Sequence, residues 1–323
     1  MTPPSNRSAR ESLVSVVITC YNQAHFLSES IESVLRQTYA RHEIIVVDDG
    51  SADDPKSVAE RFRSIRFIRQ DTQGVAAARN SGWRESDGDF LVFLDADDRL
   101  LPRALQTSHD CLQAHPHHGL VFGHGRLIGP SGDELLPNPL PVITEAGGYE
   151  QLLERNPMPF PAVVMLRRAA VEFAGGFSSM MNGTRIDNAS DYDLYLRIAH
   201  RFPIQCHSET IAEWRQHGTN TSRNSAMMLR TAVAVLKGQT PLIAGDRSYR
   251  AARNVGLKRI RTHYGEQLVA ELRAEGRTAS VRWRRIGRGV LTLLWHYPGG
   301  LIANALRKAR RTLFPGGRVS REQ

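Results

Sequence analysis

The sequence predicts an alternating α/β fold followed by a helical extension, and three observations carry that prediction. Short β-branched apolar runs end abruptly in polar turn residues, and amphipathic runs of helical period separate them. After Arg223 the pattern becomes helical and loses its acidic clusters. With 323 residues, 41% hydrophobic and 23% charged, the chain has a globular composition and enough length for a substantial core.

The elements follow in order. SVVITCYN, Ser15 to Asn22, and HEIIVVDDGS, His42 to Ser51, read as buried parallel strands. Between them HFLSESIESVLRQT places Phe26, Leu27, Ile31, Val34 and Leu35 on one helical face, which gives a β-α-β start. DPKSVAERFRS is helix-like and leads to a strand, IRFIRQ. GVAAARNSGWRES, Gly74 to Ser86, makes another helix before the strand of FLVFLDADD. Downstream, GLVFGHGRLIG reads as a strand and PNPLPVITEAGG as a loop. PAVVMLRRAAVEFAGGF reads as a strand and then a helix closed by Gly175-Gly176. ASDYDLYLRIAHRF is a helix whose first turn carries acids, which suits its dipole. These readings divide the chain into a disordered lead (1–12), an α/β domain (13–224), a helical extension (225–275) and a basic amphipathic tail (276–323).

Charge and cysteine usage exclude several classes. The net charge is +9, yet the segment from Gly276 to Gln323 alone carries eleven Lys/Arg against one Glu, so the rest of the chain is close to neutral. The basicity belongs to the tail, and no nucleic-acid partner is expected. Cys20, Cys111 and Cys206 are odd in number, far apart and without CxxC spacing, which argues against a disulfide framework or a thiolate zinc site and fits a reducing cytoplasm. No apolar leader of the secretory kind begins the chain. No GxGxxG follows the first strand and no GxxxxGK[ST] occurs, which weighs against a dinucleotide site and a P-loop. The histidines of HPHHG lack a paired cysteine or acid in register and receive no role.

In open α/β sheets ligands bind outside the carboxyl ends of the strands. Tyr21 and Asn22, Asp48 and Asp49, and the DADD stretch from Asp95 to Asp98 all fall at such ends. Crowded carboxylates raise one another's pKa, so DADD calls for a cation, donors or water. A DxD spacing lets one carboxylate touch a ribose while the next holds Mg²⁺ or Mn²⁺ on a diphosphate. Tyr21 can stack on a base, Asp49 can accept from a base N–H, and Arg79 can reach the base or phosphates. Asp191 and Asp193 offer a second carboxylate, far from DADD in sequence, of the kind needed to take a proton from an acceptor hydroxyl as a diphosphate leaves. His217 in WRQHGTNTSR offers a neutral imidazole or a phosphate donor.

Six ordered motifs together resemble glycosyltransferase family 2: VSVVITCYNQAHFLSESIESVLRQT, EIIVVDDGSAD, GVAAARNSG, FLVFLDADD, GGF followed by DYDLYLR, and WRQHGTNTS. The resemblance runs from about Ser15 to Arg223. It implies the GT-A fold, a Rossmann-like, mostly parallel sheet flanked by helices, and inverting, metal-dependent transfer from a nucleotide diphosphate sugar, a UDP-sugar being favoured. It implies that Thr19, Tyr21, Asn22, Asp49, Arg79 and Asp95 hold the donor, that Asp97 and His217 serve a Mg²⁺ or Mn²⁺ ion, and that Asp191 is the base. Ser190-Asp191 stands where the family often has Glu-Asp, and SSMMNGTRIDNA is a long loop before it; a shifted register would make Asp187 or Asp193 the base. The implied acceptor is a glycan or lipid-linked glycan of a bacterial surface. A nucleotidyltransferase and a non-catalytic nucleotide-binding scaffold are the alternatives.

The tail alternates basic clusters with apolar and aromatic residues. Ile302, Leu306, Ala309 and Leu313 share a face beside Arg307, Lys308, Arg310 and Arg311, a pattern suited to an interfacial helix on an anionic membrane. The reading is of a cytoplasmic protein peripherally attached to the inner face of the cell membrane; packing of the tail on the catalytic domain is the alternative.

Overall fold

The computed structural model describes residues 12–136, 148–275 and 283–300. Almost all of the lead, the loop after Pro137 and the tail beyond Gly300 lie outside the described residues, and with them the face drawn through Ile302 and Leu313.

The chain opens with β1 (Val14–Cys20), α1 (Ala24–Leu35), β2 (His42–Asp48), a short α2 (Pro55–Ala59), β3 (Ile65–Arg69), α3 (Val75–Arg84) and β4 (Phe90–Asp95). β1 lies between β2 and β4, parallel to both, and β3 extends the sheet beyond β2, also parallel. This is the β-α-β alternation read from the sequence. Ile18, Ile45, Phe93 and Leu94 on the central strands are at most 1% exposed. Burial of side chains of this size contributes about 1.5–3 kcal/mol each, which explains why continuous apolar runs specify these strands.

The second half is built differently. After β5 (Arg99–Leu100), α4 (Ala104–Ala114) and β6 (Leu120–Ile128) come α5 (Gly148–Glu154), β7 (Val164–Arg167) and α6 (Arg168–Ala174). Next are the two-residue strands β8 (Met180–Met181) and β9 (Thr184–Arg185), then α7 (Ser190–Ala199) and β10 (Ile204–Arg215). Among the described residues eight strands form one sheet in the order β3-β2-β1-β4-β7-β6-β10-β5. β7 is antiparallel to both β4 and β6, and β5 is antiparallel to β10, so the parallel half grades into a mixed one. Gly175 adopts a left-handed conformation and caps α6, as its place after an apolar helix suggests. The long loop expected between GGF and Asp191 is instead a β8–β9 hairpin turned by Asn182 and Gly183, both at positive φ, followed by a 3-10 turn over Asp187–Ala189.

The extension comprises α8 (Ser225–Gly238), α9 (Thr240–Ile243), α10 (Arg247–Glu275) and α11 (Trp283–His296). Leu229, Val233, Val235, Leu236, Ile243, Ala252 and Leu257 belong to the same buried cluster as the sheet. Tyr149 of α5 meets Tyr249 of α10 edge to face and donates to Gln239 at 3.2 Å. The apolar core is therefore continuous across residue 225.

Candidate functional site

Three strand ends and one helix start meet at the carboxyl edge of β1, β2 and β4. Thr19 and Asp95 are register partners on β1 and β4, and the Thr19 hydroxyl donates to Asp95 Oδ1 at 3.0 Å. Arg79, carried by α3, donates to the same carboxylate at 2.9 Å with its guanidinium almost fully buried. Burial alone would lower the Arg79 pKa; the carboxylates of Asp95 and Asp191 outweigh it and hold the guanidinium above its ordinary value. The arginine that sequence reasoning aimed at a base or phosphate is engaged with Asp95.

The remaining acids of DADD have separate partners. Asp97 Oδ2 accepts from Gln23 at 2.9 Å and lies 2.8 Å from His217 Nε2, while His217 Nδ1 lies 2.9 Å from the Thr219 hydroxyl. Burial, and then Asp95, push the Asp97 carboxyl up; the His217 bond pulls the other way. Asp98 is buried, accepts from the Arg215 backbone N–H at 3.0 Å, and is held well above the usual carboxylate range by burial and by its two acidic neighbours. Beneath the cluster runs Arg215, a fully buried side chain. It donates to the Asp97 carbonyl at 2.8 Å, to the Pro130 carbonyl at 2.8 Å and to Glu29 at 2.7 Å. Phe26 of α1 packs between Arg215, 4.7 Å from its ring centre, and His217, 5.1 Å between ring centres. Gln23, Phe26 and Arg215 are absent from the sequence-derived set. Arg215 stands two residues before His217 at the end of a strand, where alternate residues share a face, and that spacing is a signal for it.

Asp49 binds a loop rather than solvent. Its Oδ1 accepts from Gln70 at 2.7 Å and from the Gln73 N–H at 2.9 Å, and its Oδ2 accepts from the Gly74 N–H at 2.8 Å. Asn22, at φ 53°, ties the β1 and β2 turns together: its N–H donates to Ser51 Oγ at 2.9 Å and its Oδ1 accepts from the Ala52 N–H at 2.9 Å. Tyr21 beside it is 51% exposed, a free aromatic face at the mouth of this edge.

The three candidate bases differ in how they are held. Asp193 is fully buried against Arg197 at 2.7 Å, and that guanidinium also donates to the carbonyls of Ala174 and Gly176. Asp187 is buried and engaged by Arg185. Asp191 Oδ1 accepts the neighbouring Tyr192 N–H at 2.8 Å, and among the described residues no side chain donates to this carboxylate. Burial raises the Asp191 pKa, Arg79 opposes that rise, and Asp95 adds to it. The start of α7 is thus in electrostatic contact with the Asp95–Arg79 pair.

Among the described residues no three His, Cys, Asp or Glu side chains are grouped as a metal cage. The set at Asp97 nevertheless fits a hard divalent cation of the Mg²⁺ or Mn²⁺ type. Such ions take one or two carboxylates and complete their shell with water and substrate phosphate. Both side-chain contacts of Asp97, from Gln23 and from His217 Nε2, fall on Oδ2, so no side chain among the described residues donates to Oδ1.

Comparison with known proteins bears on the family and the fold. The model of glycosyl transferase family 2 matches residues 15–173. The chondroitin synthase of Escherichia coli is 28% identical over 222 residues, 66% of this chain and 30% of that protein. A UDP-Glc:alpha-D-GlcNAc-diphosphoundecaprenol beta-1,3-glucosyltransferase, WfgD, also of Escherichia coli, is 38% identical over 97 residues, 29% of this chain and 38% of that protein. The chain therefore spans about a third of the length of these relatives, whose names place them in polysaccharide and lipid-linked glycan synthesis. Among solved structures, Staphylococcus aureus TarS in complex with UDP superposes with a TM-score of 0.59 at 16% identity, covering 78% of this chain and 72% of that one. A mannosyltransferase from Pyrobaculum calidifontis in complex with GDP-Man and Mn²⁺ gives 0.56 at 19% identity, covering 94% and 80%. At these identities the likeness is one of fold, and it bears out the GT-A architecture.

Proposed function

Starting from a chain that belongs to glycosyl transferase family 2, we propose that it transfers a sugar, with inversion, from a nucleotide diphosphate sugar to a hydroxyl of a glycan or lipid-linked glycan. The observation that carries this reading is the convergence of two separate acid clusters on Arg79: Asp95 from the end of β4 and Asp191 from the start of α7. Tyr21, Asn22, Thr19 and Asp49 form the nucleoside side, with the exposed Tyr21 ring as the stacking surface. Asp97, with His217 behind it, would hold a Mg²⁺ or Mn²⁺ ion. Such an ion supplies positive charge to the departing diphosphate. Asp191 takes the proton of the acceptor hydroxyl as that oxygen bonds to the anomeric carbon and the bond from that carbon to the diphosphate breaks. No side chain among the described residues is bonded to its carboxylate, whereas Asp193 is paired with Arg197 and Asp187 with Arg185.

A UDP-sugar is the favoured donor, the donor named for the WfgD relative. Calorimetric titration of UDP, GDP, dTDP and CMP with Mn²⁺, and again with EDTA, tests the donor class. Metal-dependent binding of one diphosphate, lost in Asp97→Ala and kept in Asp191→Asn, is the expected result. Equal binding with and without metal, or full activity in both variants, refutes the assignment. The glycine- and lysine-rich phosphate loop of a nucleotidyltransferase is missing from the sequence.

The acceptor reading extends to the membrane surface. Among the described residues no helix is long and apolar enough to cross a membrane. Val290, Leu291, Leu294 and Trp295 of α11 are exposed, Trp295 by 80%. The stretch of α10 from Arg247 to Arg261 carries six Lys/Arg and no acid. Arg230, Lys237 and Arg261 lie close enough to His296, at the end of α11, to depress its pKa together with burial. Apolar side chains beside clustered cations match an anionic bilayer. In flotation with anionic vesicles the full chain should rise, and a Leu291→Asp/Trp295→Asp variant should stay at the bottom. Equal behaviour of the two contradicts the membrane role.

A further inference from the structure

The nucleoside loop and the proposed base are joined by one residue that no sequence motif singles out. Asp49 receives the N–H groups of Gln73 and Gly74, so it fixes the loop that precedes α3. The Gln73 carbonyl of that same loop accepts from Arg185 Nη2 at 2.9 Å. Arg185, at the end of the β8–β9 hairpin, also engages the Asp187 carboxylate. The Asp187 carbonyl accepts from Ser190 Oγ at 2.7 Å, and Asp191 is the next residue. Hydrogen bonds thus link strand end, loop, hairpin and Ser190, the residue that directly precedes the base.

Two details show that the junction is built for this contact. Gly74, at φ +101°, is the closest neighbour of the pair: a Cβ there would lie 2.7 Å from Arg185 Nη2 and 3.0 Å from either Asp187 oxygen. The loop can reach the pair only because it has no side chain at that point. Asp187 Oδ1 is also buried without a hydrogen-bond partner among the described residues, so Arg185 is the cation that compensates this carboxylate. The Arg185 side chain itself is 63% exposed, so it can let go and re-engage without disturbing the core.

We propose that Arg185 is a positioning residue that latches the β8–β9 hairpin to the nucleoside loop, so that donor binding orders the segment from Met180 to Asp191 and sets the base in place. The proposal rests on the nucleotide-donor reading above. Donor contacts at Asp49 and the loop 70–74 restrict that loop; a restricted loop presents a fixed Gln73 carbonyl to Arg185; the held Arg185 fixes Asp187 and, through Ser190, the start of α7. A coupling carried by a single side chain disappears when that side chain is removed.

Amide hydrogen exchange on the full chain, with and without UDP or GDP and Mn²⁺, tests it without an acceptor. In the wild type, nucleotide should slow exchange both at 70–76 and at 180–190, by roughly tenfold at the second segment. In Arg185→Ala the protection at 70–76 should persist and that at 180–190 should vanish; Arg185→Lys, which keeps a cation of similar reach, should retain part of it. Equal protection of both segments in wild type and Arg185→Ala overturns the latch, as does wild-type protection confined to 70–76. Protection at neither segment with either nucleotide means that the donor reading itself fails and takes the latch with it.

Discussion

The two acidic turns, Asp95 to Asp98 after β4 and Asp191 to Asp193 at the start of α7, look alike in sequence and differ in what holds their charges. DADD is supported from below by the protein's own cations, Arg79 on Asp95 and Arg215 beneath Asp97 and Asp98, with Gln23 and His217 on Asp97. In the α7 turn one carboxylate, Asp193, has a dedicated arginine, and Asp191 has backbone N–H donors and the electrostatic influence of Arg79 but no arginine bonded to it among the described residues. Burial raises all four carboxyls, but each cluster contains an acid tied into the fold, Asp98 by the Arg215 N–H or Asp193 by Arg197, and an acid left under-compensated because no arginine is bonded to it, Asp97 or Asp191. An acid raised in pKa and not tied into the fold is the one to assign to chemistry.

Exchanging the two α7 acids gives the largest effect. Asp191→Asn should lose transfer by about 10²–10⁴-fold, the range for a removed general base, while its stability stays the same or rises by about 1 kcal/mol because a buried charge is gone. Asp193→Asn should do the reverse. It strands Arg197 and should cost about 3 kcal/mol, the low end for a broken buried pair since Arg197 reaches water, with turnover per folded molecule maintained. Turnover assays paired with urea unfolding of both variants decide the matter. A dead but fully stable Asp193→Asn alongside an active Asp191→Asn would reverse the two roles.

The same contrast marks what was legible in the sequence. The parallel half was readable because both faces of β1, β2 and β4 are buried, so hydrophobicity alone identifies them and the site residues simply follow at their ends. β10 escapes that signal. Its sequence, IQCHSETIAEWR, is polar because part of its burial is ionic: Glu213 is buried between Arg99 at 2.7 Å and Arg126 at 2.6 Å, and Arg215 is buried under DADD. Ion pairs between distant elements leave no periodic trace in one chain, so Arg79 was legible as a site residue but not as the partner of Asp95, and Arg215 had only its spacing from His217 to mark it. The β8–β9 hairpin had a local signal that was not used, the Asn182-Gly183 pair, whose positive φ values suit a two-residue turn. The antiparallel seat of β7 between β4 and β6 is a pairing choice that an apolar run of four residues cannot specify.

The smallest effect, and the one that sharpens the comparison most, is in the pH dependence of Asp191. Burial lifts its folded pKa above the 3.8 of an unfolded aspartate, so between those two values the folded chain binds more protons than the unfolded one. Its burial therefore costs stability at neutral pH, and that cost is relieved as the pH falls through the raised value and is gone below 3.8. The wild type should thus gain on Asp191→Asn as the pH drops, and the difference between their unfolding midpoints should shrink toward zero in acid. Activity moves the opposite way, because only the ionised carboxylate accepts a proton: kcat/KM falls on acidification, with its midpoint above the 3.8 of an unperturbed aspartate. Asp54, on the exposed start of α2, supplies the contrary case. Its bonds from Ser57 lower its pKa, so its contribution is present above 3.8 and is lost as the pH falls through the lowered value. A wild type that is more stable than Asp191→Asn at neutral pH and loses that advantage as the pH falls would mean that Asp191 is held by a cation after all, and that its place among the under-compensated acids is wrong.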